Sequence, residues 1–199
     1  MIRALLLGAT VLLCNAALAQ IDYTVGVEPA GKSIRVSMRI EAASENQEVR
    51  IPYWCPGYYQ EMQYHKKISD VVATGEDGAT LQVEASTPRA WVVKNPAKGS
   101  IRVKYRVVGD EGGLGFFGVS VTEKSAFING PAAFMYPVEK LNETFRLFIS
   151  PMPNGWEVAT AMDPVNQHWE SQGYDEFIDH PIQLGVMTRR SFKVNDVPF

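Results

Sequence analysis

Past its N-terminal stretch the chain holds a single cysteine, Cys55, so no intramolecular disulfide can staple the fold. Its stability must rest on a buried core. No histidine stands near Cys55 in a Cys–His arrangement, which favours a small buried hydrophobe over a nucleophile. Histidine is scarce as well: His65, His168 and His180 lie far apart, and H-E-x-x-H is absent. That spacing offers no pair of zinc ligands on one helix face. Beyond the N-terminus no segment approaches ~18 uninterrupted apolar residues, the length of a membrane-spanning helix. Strong helical periodicity is missing too; the best short helix candidate is Tyr59–Lys67. Neither sign of charge dominates, with 19 basic and 22 acidic residues and a net charge of −3. The basic residues are scattered along the chain, so nucleic acid is not an expected partner.

Residues 1–20 read MIRALLLGATVLLCNAALAQ. Arg3 precedes an apolar run, and Ala17-Leu18-Ala19 supplies a small-x-small cleavage site, the pattern of a secretory signal peptide over residues 1–19. A lipoprotein reading with Cys14 acylated is weaker, because bulky Leu13 sits where a small residue is wanted. The expected location is therefore periplasmic or extracellular. Loss of Arg3 would leave 18 basic against 22 acidic residues, or −4. Residues 20–199 suit one domain with a sizeable core.

What is present is alternation with period two. Ile34, Val36, Met38 and Ile40 alternate with Arg35, Ser37 and Arg39; Ile101, Val103, Tyr105 and Val107 alternate with Arg102, Lys104 and Arg106; Phe145, Leu147 and Ile149 repeat the pattern. Each reads as a strand with one apolar face. Weaker strands are expected at 21–27, 48–52, 67–74, 80–85, 90–94, 119–122, 156–161, 182–186 and 189–194, with turns such as Pro29-Ala30-Gly31 and Pro153-Asn154-Gly155 between. Strands at such spacing indicate an all-β, antiparallel sandwich or barrel, of which a two-sheet sandwich is the expected form.

Two aromatic-rich turns interrupt the pattern. Ile51 to Ile68 packs Tyr53, Trp54, Tyr58 and Tyr59 around Pro56-Gly57. Pro56 pre-sets φ for the first corner of a turn, and Gly57 can take the positive φ that a type II turn needs next. Such rings either plug the end of a β core or line a binding surface, and their burial energy favours the plug. The second turn is FINGPAAFMYP, residues 127–137, built on Asn129-Gly130-Pro131. A glycine-rich stretch, residues 110–118, lacks the strand and Lys-Ser/Thr helix of a phosphate loop and reads as a mobile loop with an apolar tip. The acidic set Asp175, Glu176, Asp179 with His180 reads as solvated loop charge. No serine stands in a nucleophile setting. The residues alone carry no catalytic constellation.

The run IPYWCPGYYQEMQYHKKISDVVA resembles the W-x-P-G-x-Y segment opening the N-terminal domain of the glycyl aminopeptidase family of zinc metallopeptidases. AWVV at 90–93, FINGPAAFMYP, PNGW at 153–156, DHPIQLG and SFKVNDVPF follow in the same order. The resemblance implies a β domain like that at the front of other aminopeptidases. The catalytic domain, with its zinc, H-E-x-x-H and downstream Glu, would lie outside these residues. It implies no catalytic residue, metal ligand or cofactor here, and contact with peptide substrate only indirectly. Where many relatives have Ser, Arg and an acid around the turn, this chain has Tyr58, Met62 and Gln63. The expected interface with substrate or catalytic domain is Trp54, Pro56, Gly57, Tyr58, Tyr59, Asn129, Gly130 and Tyr136. A second expectation, from another class, is a carbohydrate- or peptide-binding module that stacks ligand on Trp54, Tyr58 and Tyr59.

Overall fold

A computed structural model describes residues 20–112, 117–188 and 190–198. The leader expected at 1–19 and the tip of the glycine-rich loop lie outside the described residues. The largest sheet has eight strands. In spatial order they are Asp163–Val165 (β14), His168–Gln172 (β15), Thr144–Ile149 (β12), Gln20–Glu28 (β1), Ser33–Ile40 (β2), Ile101–Val108 (β8), Ile68–Gly75 (β4) and Thr80–Leu81 (β5). A four-stranded sheet orders Glu157–Ala159 (β13), Ile182–Gly185 (β16), Ser125–Ile128 (β10) and Val119–Val121 (β9). Another orders Tyr136–Pro137 (β11), Asn46–Arg50 (β3), Ala90–Lys94 (β7) and Val83–Thr87 (β6). Lys193–Val194 (β17) and Val197–Pro198 (β18) form an outlying hairpin. Among the described residues two short α-helices form, Gly130–Ala133 (α1) and Tyr174–Asp179 (α2). β1 and β12 run parallel, and the other described pairs run antiparallel.

Alternation decides which face is buried. Ile21, Tyr23 and Val25 of β1, Ile34, Val36, Met38 and Ile40 of β2, and Ile101, Val103 and Val107 of β8 point inward. They join Val49 and Val93 from one small sheet and Ile128, Ile182 and Leu184 from the other in one core. Each such side chain contributes roughly 1.5–3 kcal/mol on burial. The sandwich is therefore one wide sheet facing two narrow ones.

The outer face of the wide sheet collects cations that looked dispersed along the chain. Arg35 lies opposite Arg106, and Arg39 opposite Arg102, on β2 and β8. Facing like charges destabilise a sheet unless compensated. Glu28 bridges the first pair, at 2.5 Å to Arg35 and 3.1 Å to Arg106, and Glu41 pairs with Arg39. Arg146 of β12 holds Asp22 through two bonds of 2.8 Å.

Several segments depart from expectation. Of the strand expected at 189–194, only Lys193–Val194 is a strand among the described residues. Tyr59–Lys67 yields only a 3-10 turn at Tyr64–Lys67. His168–Gln172 is a strand without alternating apolar residues, because Ser171 occupies its buried position. The acidic run at 175–179 is helical: Tyr174, Phe177 and Ile178 recur at the i, i+3, i+4 spacing and are buried, which leaves Asp175, Glu176 and Asp179 on the outer face. No described helix is long and apolar enough to cross a membrane.

Candidate functional site

The first corner closes on itself. The amide of Tyr58 donates to the Cys55 carbonyl at 3.0 Å across Pro56-Gly57, and Gly57 sits at φ +78°. That is the type II geometry its dipeptide demands. The Met62 amide returns to the Tyr53 carbonyl at 2.6 Å. These two backbone bonds are local, so the tip of the loop is closed without partners from the core. Trp54 is 50% exposed, Tyr59 92% and Tyr53 46%, so these rings do not plug the sandwich. Tyr58 is half-buried, its ring tilted against that of Phe117 with centroids 4.3 Å apart. Cys55 is buried and free; its sulfur accepts from Asn129 Nδ2 at 3.3 Å. Tyr64, whose hydroxyl donates to the Phe117 carbonyl at 2.8 Å, backs the corner from within. Burial, with Cys55 nearby, pushes its hydroxyl pKa up.

The second corner is pulled inward. The hydroxyls of Tyr23, Tyr105 and Tyr174 donate to the carbonyls of Met135, Ala133 and Phe134 at 2.5, 2.9 and 2.6 Å. The Met135 amide in turn donates to the Tyr105 hydroxyl at 3.0 Å. Burial raises the pKa of all three tyrosines, since a phenolate there would lose its hydration. Phe134 packs between Tyr23 and Phe177, with centroids at 5.1 and 4.8 Å. Gly130 has no room for a side chain, because a Cβ would fall 2.4 Å from the Ile178 carbonyl oxygen. Asn129 is buried, and its amide also reaches the Phe117 carbonyl at 3.1 Å. Asn129 and Gly130 are therefore positioned to brace the surface rather than to form it.

Tyr136 leaves this corner half-buried, paired in register with Arg50 and with its ring 4.8 Å from that of Tyr174. Together Trp54, Pro56 and Tyr136 wall a cleft of about 160 Å³, completed by Leu141, Tyr174 and Asp175. Small-molecule sites usually measure about 300–1,000 Å³. This one is sized for a side chain. Of the expected site residues, the structure thus gathers Trp54, Pro56 and Tyr136 around one opening. Gly57 and Tyr59 lie exposed beside it, Tyr58 turns towards Phe117, and Asn129 and Gly130 sit beneath. Leu141 and Asp175 were missed: Leu141 sits in a polar stretch without periodicity, while Asp175 was detectable through the spacing of Tyr174, Phe177 and Ile178. Among the described residues, no three His, Cys, Asp or Glu side chains converge to hold a metal ion. His168 instead bonds Glu170 at 2.7 Å. The described residues do not fit a zinc centre, and no step through zinc is assigned to them.

Residues 22–186 match the family model of the Peptidase M61 N-terminal domain. Over 89% of its length the chain is similar in structure to an aminopeptidase N family protein from Idiomarina loihiensis, at a TM-score of 0.82 and 23% identity. It covers 31% of that protein. It is also similar over 88% of its length to Legionella pneumophila aminopeptidase A, solved in complex with aspartic acid. There the TM-score is 0.51, the identity 13%, and the coverage 22% of that protein. The chain thus spans less than a third of either solved relative, and at these identities the likeness concerns the fold. No curated protein matches it.

Proposed function

Because the chain belongs to the Peptidase M61 N-terminal domain family, the front part of a group of zinc metallopeptidases, we propose that it is the non-catalytic β scaffold of an exported glycyl-aminopeptidase-like enzyme. In this reading the corner of Trp54, Pro56, Gly57, Tyr58 and Tyr59 packs on the catalytic domain and helps wall the substrate cleft. The supporting observation is the pairing of a self-bonded corner with exposed rings and a side-chain-sized opening between Trp54 and Tyr136. Large exposed apolar groups held rigidly are what a docking surface offers. Peptide hydrolysis by this family's zinc would then belong to the partner domain, and the chain would meet peptide substrate only at the cleft wall. The test is to assay the purified chain for zinc content and for turnover of glycyl and alanyl anilides. Neither is expected. Turnover abolished by a chelator would sink the reading.

The exposure of Trp54 and Tyr59 also suits the second reading, a carbohydrate- or peptide-binding module, since stacking ligands need open rings. Retention on a glycan array that disappears in Trp54→Ala, with the circular dichroism unchanged, would favour it.

A further inference from the structure

We infer that a separate pocket, on the other side of Tyr53, binds a carboxylate carried by a peptide, with Arg89 as its anchor. The inference goes beyond the scaffold reading and does not depend on it. The pocket encloses about 400 Å³ between Arg50, Tyr53, Glu61, His65, Pro88 and Arg89. That volume admits one amino-acid side chain with its backbone. Arg89 is fixed at both ends. Its carbonyl accepts from the Ile51 amide at 3.0 Å, and its guanidinium lies 4.1 Å above the Tyr53 ring. Nη1 of Arg89 is nonetheless buried and has no hydrogen-bond partner among the described residues.

A buried donor left unmet is costly, and more so when charged. The ring stabilises the cation without accepting its in-plane N–H groups. Those donors form a planar fork that matches a carboxylate. The lining chemistry agrees in sign. Arg50 supplies a second guanidinium, of which Nε is engaged by Glu48 at 2.8 Å, and His65 adds an imidazole. Glu61 is the one acid among the described lining residues, and it is exposed. The peptide follows from the setting: Thr87, which also borders the pocket, ends β6, the edge strand of its sheet. An extended chain can run along such an edge and turn its acidic group inward.

The test is a titration of the ¹⁵N-labelled chain, following the Arg89 Nε–H resonance. Four probes are used: N-acetyl-glutamate amide, with only a side-chain carboxylate; N-acetyl-alanine, with only a C-terminal one; neutral N-acetyl-glutamine amide; and inorganic phosphate. Saturable shifts with at least one carboxylate, and at least about tenfold weaker binding of the neutral amide, are expected; that ratio corresponds to about 1.4 kcal/mol. Whichever carboxylate responds identifies its source. Arg89→Gln should weaken binding at least about tenfold, while Arg35→Gln on the wide sheet should leave it unchanged. No saturable shift, an equal response to the neutral amide, or tighter binding of inorganic phosphate would overturn the assignment. Should Arg89→Gln unfold, the carboxylate-against-amide comparison on the unaltered chain still decides.

Discussion

The Pro56-Gly57 corner and the Gly130-Pro131 corner are made of the same ingredients: a proline, a glycine and several rings within a dozen residues. They end in opposite environments. Trp54 and Tyr59 face solvent, whereas Gly130 to Met135 are buried throughout. The difference lies in where the backbone polar groups find partners. The first corner pairs Tyr58 with Cys55 and Met62 with Tyr53, all within itself. The second leaves carbonyls at Ala133, Phe134 and Met135 that are met by tyrosine hydroxyls rising from β8, α2 and β1. A buried carbonyl must be paired, so a loop that borrows its partners from the core is held in the core.

The largest effect that could break this contrast is Phe134→Ala. Phe134 is fully buried between Tyr23 and Phe177, and its truncation should cost about 3–5 kcal/mol in denaturant unfolding. A loss below about 1 kcal/mol would mean that the second corner is not part of the core.

Next in size is the response to alkali. Tyr23, Tyr105 and Tyr174 have hydroxyl pKa values raised in the folded state. The unfolded chain therefore gives up its protons first. Their contribution is complete below the ordinary tyrosine value of about 10 and is lost as pH climbs towards the folded values. Melting temperature should hold steady up to about pH 9 and then fall, with each tyrosine removing up to about 1.4 kcal/mol per pH unit. Tyr174→Phe should flatten that fall, and an unchanged alkaline slope would detach Tyr174 from it.

The smallest expected effect is that of Trp54→Ala on the chain alone. A half-exposed ring on a self-bonded loop should change stability by no more than about 0.5 kcal/mol. A loss of several kcal/mol would restore the plug reading and remove the contrast between the corners.

Much of the architecture was legible along the chain. The alternations at Ser33–Ile40, Ile101–Val108 and Thr144–Ile149 all became strands with the expected residues inward. Pro56-Gly57 turned where its φ preferences required. What stayed hidden depended on partners distant in sequence. Tyr23 meets Met135 from 112 positions away, and Asn129 meets Cys55 from 74. Nothing local to Arg89 announces that its guanidinium lies over Tyr53, because the two meet only when β6 and β7 fold back beside the first corner.

Local preference and periodicity were enough to determine a strand-rich sandwich with two aromatic corners, since turn dihedrals and the period of two are properties of neighbouring residues. Which corner shows its rings, which residues brace it, and where an unpaired cation is enclosed were decided by the tertiary structure. Burial and hydrogen-bond satisfaction are settled between elements that the chain brings together only on folding.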